Sequence, residues 1–176
     1  SPLTKITNKH LLPIYDKPMI YYPIMQLAQA GIKDILLVTG GQHAGEFLRL
    51  LGDGQAFGLT HINYTYQEGE GGIAQALGLA RHFAAQKRVV VILGDNIFEN
   101  SLKPYIDNFR RQKKGARVLL KKVPDPERFG VAELSGGKIT SIVEKPKKPK
   151  TDLAVTGVYM YDEEAFDIIP TLKPSA

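Results

Sequence analysis

The run Val89-Val90-Val91-Ile92-Leu93 contains no polar residue and is composed of strand formers. It ends abruptly at Gly94-Asp95-Asn96. A strand with one face in water alternates apolar and polar side chains, whereas an unbroken run needs cover on both faces. A sheet covered on both faces needs helices on both sides, and the flanking sequence supplies them.

Residues Pro18 to Ala30 place Ile20, Pro23, Ile24, Leu27 and Ala30 at helical spacing, with Gly31 as a stop. Asp34 to Val38 predicts a buried strand and Ala44 to Leu51 a short helix closed by Gly52-Asp53-Gly54. His61 to Tyr66 alternates as a strand, and Gly72 to Ala85 carries Ile73, Leu77, Ala80 and Phe83 on one helical face. After the apolar run, Ser101 is a candidate N-cap for a helix to about Lys113, and Ala116 to Val123 predicts another strand. The period then changes. Val131 to Leu134 and Lys138 to Glu144 flank Ser-Gly-Gly as a hairpin, and Ala154 to Tyr161 is a further strand. The expectation is a single α/β domain with a mostly parallel sheet, strand–helix alternation over 1–123 and a β-rich part over 124–176. Ligands of such sheets sit at the carboxyl ends of the strands, which singles out Gly94-Asp95-Asn96 and the loop from Gln67 to Gly72.

Composition narrows the chemistry. The 176 residues include no cysteine, which excludes disulfides, thiol nucleophiles and thiolate zinc sites. No apolar run approaches the roughly 18 residues of a membrane helix, and no leader pattern is visible, so the cytoplasm is the expected compartment. A net charge of +5 invites a nucleic-acid reading. Its one dense stretch, Lys145, Lys147, Lys148 and Lys150, alternates with prolines and has no stacking aromatics, so no nucleic-acid partner is expected. A modest basic excess also suits small anionic substrates.

Asp95 follows the buried strand directly, where a carboxylate can hold a hard cation against phosphate oxygens or simply cap a turn. The Gln67–Gly72 loop leads from strand to helix with glycines that allow close backbone approach. Glu68 and Glu70 would repel an anion, so a neutral base or sugar fits this loop better than phosphate. Lys9 and Lys145 could each set a point charge on a phosphate or could be ordinary surface lysines. No histidine pair has metal-ligand spacing, and no serine sits in a nucleophile elbow.

Together these segments resemble the sugar-1-phosphate nucleotidylyltransferases, and within them the glucose-1-phosphate thymidylyltransferases. The resemblance rests on the run from Lys5 to Pro23 (KITNKHLLPIYDKPMIYYP), Leu51-Gly52-Asp53-Gly54, Gly72-Ile73-Ala74-Gln75-Ala76 and Leu93-Gly94-Asp95-Asn96. It continues through Asp125 to Val131 (DPERFGV), Glu144-Lys145-Pro146 and Ala154-Val155-Thr156-Gly157, in the family's order. It implies a Rossmann-like nucleotidyltransferase fold and the reaction of dTTP with glucose 1-phosphate to dTDP-glucose and pyrophosphate, with magnesium. By the same resemblance, Gln67 and Gly72 read the base and Asp95 binds the metal. Lys145 holds the sugar phosphate, and Lys9 neutralises charge during transfer. Ile73, Gly130, Glu144, Val155 and Tyr159 shape the sugar site, and the protein is a homo-oligomer.

Family members also carry a glycine-rich G-G-x-G-T-R-L loop before the counterpart of Ser1 and an acidic segment after that of Ala176. Neither is in this sequence, so the 176 residues alone are expected to be inactive. Two other readings remain: a relative that uses UTP or another sugar phosphate, and a non-catalytic sugar-nucleotide-binding domain.

Overall fold

A computed structural model describes residues 8–40, 43–69 and 72–172. Residues 5–7 of the first motif, Gly41, the Glu70-Gly71 part of the 67–72 loop and the 173–176 tail lie outside them.

The first element among the described residues is a one-turn 3-10 helix, Lys9–Leu11, followed by a two-residue ladder of β1 (Pro13–Ile14) and β2 (Lys17–Pro18). Helix α1 (Tyr21–Gln29) starts three residues later than the periodicity predicts. Pro18 holds its predecessor in extended backbone, whereas Pro23 falls in the first helical turn, where its missing N–H costs nothing. Pro23, Ile24 and Leu27 form the buried face of α1. Next come β3 (Asp34–Thr39), α2 (Ala44–Leu51) and β4 (His61–Tyr66). The helix expected over 72–85 is two, α3 (Gly72–Leu79) and α4 (Arg81–Ala84). The break falls just after Gly78, a weak helix former, where the Ala80 N–H turns to the Leu77 carbonyl at 3.0 Å.

Strand β5 (Val89–Ile92) is the apolar run. Its predecessor Arg88 donates to the Phe109 carbonyl at 3.0 Å and to the Lys113 carbonyl at 2.6 Å. It thereby satisfies carbonyls at the C-terminal end of α5 (Lys103–Arg111). Ser101, the expected N-cap, lies one residue before the actual N-cap, Leu102, which makes no side-chain capping bond; the Ser101 Oγ accepts from the Lys103 N–H at 3.2 Å. Strand β6 (Arg117–Lys122) closes the alternating part, and the β-rich part comprises β7 (Gly130–Ser135), β8 (Lys138–Glu144) and β9 (Leu153–Tyr161), followed by the short α6 (Ala165–Ile168).

The expectation of a mostly parallel sheet is corrected. Among the described residues only β3 and β4 pair parallel, while the β1–β2, β5–β9, β6–β9, β7–β8 and β7–β9 pairings are antiparallel. The cause is β9. It returns from the β-rich part against both β5 and β6, so one sheet joins strands from both sides of residue 123. Strand–helix alternation locates strands but does not fix the direction of a neighbour that arrives later in the chain. Among the described residues, β3 pairs only with β4 and β5 only with β9. Residues of both strands line a cavity of about 650 Å³, walled by apolar side chains that include Ile24, Leu27, Leu77, Ile106 and Phe109.

The main core gathers α1, α2 and α5 around Ile62, Val158 and Met160, while Leu77, Ala80, Ala84 and Phe166 form a second cluster. The register between β6 and β9 shifts between Val118 and Leu120, opposite a stretch of β9 that includes Gly157. Gly157 has φ 74°, and a Cβ there would lie 2.8 Å from Leu93 Cδ1 and collide with the Asn96 amide. Gly137, in the β7–β8 turn, has φ 75° with nothing near. Both Gly→Ala variants carry the left-handed cost of about 1–2 kcal/mol. Gly157→Ala adds an overpacking cost of about 1–3 kcal/mol, to be read as the difference in denaturant unfolding. Equal losses would show that Leu93 and Asn96 move aside freely.

Candidate active site

Asn8 builds one corner of the site. Its Oδ1 accepts from the His10 backbone N–H at 3.0 Å and pairs with His10 Nδ1 at 2.6 Å, capping the Lys9–Leu11 turn. The Ile20 N–H donates to the His10 carbonyl at 2.9 Å, which fastens that turn to the start of α1. The His10 ring lies against the loop after β5, where a Cβ on Gly94 would approach its Cδ2 to 3.1 Å. In this position Lys9 Nζ donates to Asp95 Oδ2 at 2.7 Å, across 86 residues of chain. The Lys9 hydrogen bond holds the Asp95 carboxyl below the usual carboxylate range, against partial burial acting the other way. Burial and the Lys9 charge push the His10 imidazole down. The corner thus favours the charged form of the carboxyl and the uncharged form of the ring.

The Asp95 turn is tied from behind. Asn96 Nδ2 donates to the Thr156 carbonyl at 2.5 Å, the Leu93 N–H donates to the Gly157 carbonyl at 3.1 Å, and Thr156 Oγ1 donates to the Leu119 carbonyl at 2.9 Å. Gln26 Oε1 on α1 accepts from the Leu102 N–H at 3.0 Å, steadying the far end of the same loop.

Gln67 follows β4, and its N–H donates to the Thr39 carbonyl at 2.9 Å at the end of β3. Its Nε2 donates to the Gly72 carbonyl at 3.1 Å and to Gln75 Oε1 at 2.8 Å. Gln67, Gly72 and Ile73 line the large cavity together with Asn8, His10 and Gly94. Both loops singled out by the strand-end rule therefore border one opening.

The third group lies on β7, β8 and β9. Gly130 is the register partner of Glu144, and a Cβ at 130 would lie 3.1 Å from Glu144 Oε2 and 3.8 Å from Val155 Cβ. Burial raises the Tyr159 hydroxyl pKa, and the Glu144 charge adds to the rise. Lys145 leaves β8 with φ 43°, its N–H bonded to the Phe129 carbonyl at 3.0 Å. Successive strand side chains point to opposite faces. The left-handed turn breaks that alternation and lets Lys145 Nζ stand 3.8 Å from Glu144 Oε1.

The sequence-predicted residues thus form three groups: Lys9 with Asp95, Gln67 with Gly72 and Ile73, and Gly130 with Glu144, Lys145, Val155 and Tyr159. The bond from Asn96 to Thr156 ties the first group to the third. Sequence reasoning assigns no individual role to Asn8, His10, Gln75 or Asn96, although all four lie within the quoted motifs and three of them flank predicted residues directly.

The chain matches the nucleotidyl transferase family over residues 1–176. It is 46% identical to a Neisseria meningitidis protein named glucose-1-phosphate thymidylyltransferase, over 99% of this chain and 61% of the relative. It is likewise 46% identical to a protein of that name from Xanthomonas campestris, over 99% of this chain and 59% of the relative. The chain thus spans about three fifths of these curated relatives' length. A solved Bacillus anthracis structure, provisionally named a glucose-1-phosphate thymidylyltransferase and containing sucrose, superposes with a TM-score of 0.93 at 53% identity. The alignment covers 99% of this chain and 70% of that one. An apo UDP-glucose pyrophosphorylase shares the fold alone, with a TM-score of 0.80 at 24% identity over 99% of this chain and 76% of the other. With a match along the whole of its length, this chain belongs to the nucleotidyl transferase family.

Proposed function

We propose that this chain is the catalytic part of an enzyme that transfers a thymidylyl group from dTTP to glucose 1-phosphate, giving dTDP-glucose and pyrophosphate. The observation that carries the reading is the Lys9–Asp95 pair beside the opening lined by Gln67, Gly72 and Ile73. Support for the substrates comes from the names of the relatives at 46% identity. Residues 1–123 form the nucleotide half and 124–176 the sugar-phosphate half. The reading includes a cytoplasmic homo-oligomer. Among the described residues no helix is long and apolar enough to cross a membrane.

A sugar-phosphate oxygen attacks the α-phosphorus in line, a new P–O bond forms, and the bond to pyrophosphate breaks. No protein nucleophile is needed, so the chain contributes position and charge. Gln67 and Gly72 hold the base. Glu144 accepts from sugar hydroxyls beside the space that Gly130 leaves open. Lys145, turned toward the Glu144 side, binds the sugar phosphate. Lys9 places its ammonium where charge accumulates on the transferring phosphate.

Among the described residues no cluster of three His, Cys, Asp or Glu could enclose a metal ion. Asp95, kept ionised by Lys9, offers one carboxylate. That fits Mg²⁺, which takes one or two carboxylates and completes its shell with water and phosphate oxygens. Bound there, it would neutralise charge on the phosphate oxygens.

In the full-length protein, pyrophosphate release from dTTP should require both glucose 1-phosphate and Mg²⁺. Equal release with mannose 1-phosphate or galactose 1-phosphate removes the glucose assignment. Asp95→Asn should lower turnover by about 100-fold or more with the melting temperature nearly unchanged. An early-melting variant with full specific activity makes Asp95 a turn residue instead.

Lys145→Ala should raise KM for the sugar phosphate, because its contact exists in the ground state. Lys9→Ala should lower kcat. Steady-state kinetics with the same signature for both variants would show the two roles to be misassigned.

A further inference from the structure

The hydrogen bonds of Gln67 fix which way round its amide faces. A side-chain amide has two N–H donors and a carbonyl acceptor. Both donors are engaged, one by the Gly72 carbonyl at 3.1 Å and the other by Gln75 Oε1 at 2.8 Å. What the amide has left to offer a ligand is Oε1, an acceptor. The backbone that carries the side chain is held in place, its N–H bonded to Thr39 and its carbonyl close against Gly40, and the amide itself is held by the two bonds from Nε2.

The two partners differ in kind. The Gly72 carbonyl is backbone and can only accept, so an inverted Gln67 would set oxygen against oxygen there. Gln75 is an exposed residue on α3 whose own amide could turn to meet either end of Gln67. With Gly72 as the fixed reference, Gln75 turns its oxygen inward and adds a second bond to the same arrangement. The pair therefore sets a polarity as well as a position.

We propose that Gln75, acting with the Gly72 carbonyl, is a positioning residue that holds Gln67 as a hydrogen-bond acceptor and thereby selects pyrimidines with an N–H at ring position 3. Thymine and uracil carry that N–H, whereas cytosine presents a lone pair that Oε1 would repel. A site built around one hydrogen bond rejects an analogue that cannot make it, because its polar group is left unpaired. The inference rests on Gln67 facing the base, as in the function proposed above. It adds a residue eight positions away that does not itself touch the base.

The test is calorimetric binding of dTTP and dCTP to the full-length protein, comparing wild type with Gln75→Glu, Gln75→Lys and Gln67→Leu. Gln75→Glu, a pure acceptor, should keep the dTTP:dCTP affinity ratio at or above the wild-type value. Gln75→Lys puts a donor beside Gln67 Nε2, opposes the Gly72 bond, and should lower the ratio about tenfold or more, partly by improving dCTP binding. Gln67→Leu should weaken dTTP binding about tenfold. If Gln67→Leu weakens dTTP while Gln75→Lys leaves the ratio unchanged, the polarity role is overturned and the base-reading role of Gln67 stands. If Gln67→Leu leaves dTTP affinity unchanged, the base is read elsewhere and both fall. Because Gln75 is exposed, a general loss of fold is not expected to obscure the comparison; a Gln75→Lys protein that weakens both nucleotides equally also overturns the inference.

Discussion

Strand β9 is the constraint on which the rest of the structure depends. One edge carries β6, and the other carries β5 at Val158 to Tyr161 and β7 at Ala154. Val158 and Met160 are fully buried within the main core. Without this strand, β5 would lose its partner among the described residues, and the turn that presents Asp95 would lose its tie to Thr156 and Gly157. A strand that organises the core thus also sets the height of the Asp95 carboxylate. The irregular register opposite Gly157 shows how the two tasks are reconciled. A regular ladder residue with a side chain at 157 would fill the space that the Asn96 amide uses to reach Thr156.

Electrostatically, the site is arranged as neighbouring opposite charges. Asp95 faces Lys9, and Glu144 stands near Lys145. Each pair is partly open to water, so neither is worth much as a stabilising salt bridge. In the proposed reaction, such pairs would keep groups of both signs in place before substrate arrives and so lower the reorganisation needed when phosphate charge enters. His10, kept neutral by burial, fills the corner beside Asp95 without adding a third charge.

The strands were legible because their signal is local. Apolar runs mark β3 and β5, alternation marks β4, and Ser-Gly-Gly marks the β7–β8 turn. Direction was not legible, since nothing within Val89–Ile92 indicates that its partner will be a strand more than sixty residues later, running the other way. At the site, the residue types and order of Lys9, Asp95, Glu144 and Lys145 were readable. Whether Asp95 caps a turn or faces a cation was not, and the Lys9 ammonium at 2.7 Å favours an exposed, charged role. Gln75 carried no signal of its own: a glutamine on an exposed helical face is ordinary until Gln67 is known to lie against it. Asn8 and His10 sit in a turn too short for any periodicity to register.

The distance along the chain between Lys9 and Asp95 has a consequence for how the molecule comes into being. Contacts between residues far apart in sequence carry a large loop-closure cost and form only once intervening structure supports them. The Lys9–Asp95 contact spans 86 residues and the Asn96–Thr156 tie spans 60. An incompletely folded chain can contain α1, α5 and the β7–β8 hairpin, all of local origin, and still lack the Lys9–Asp95 pair, whose formation depends on the whole of the structure between them.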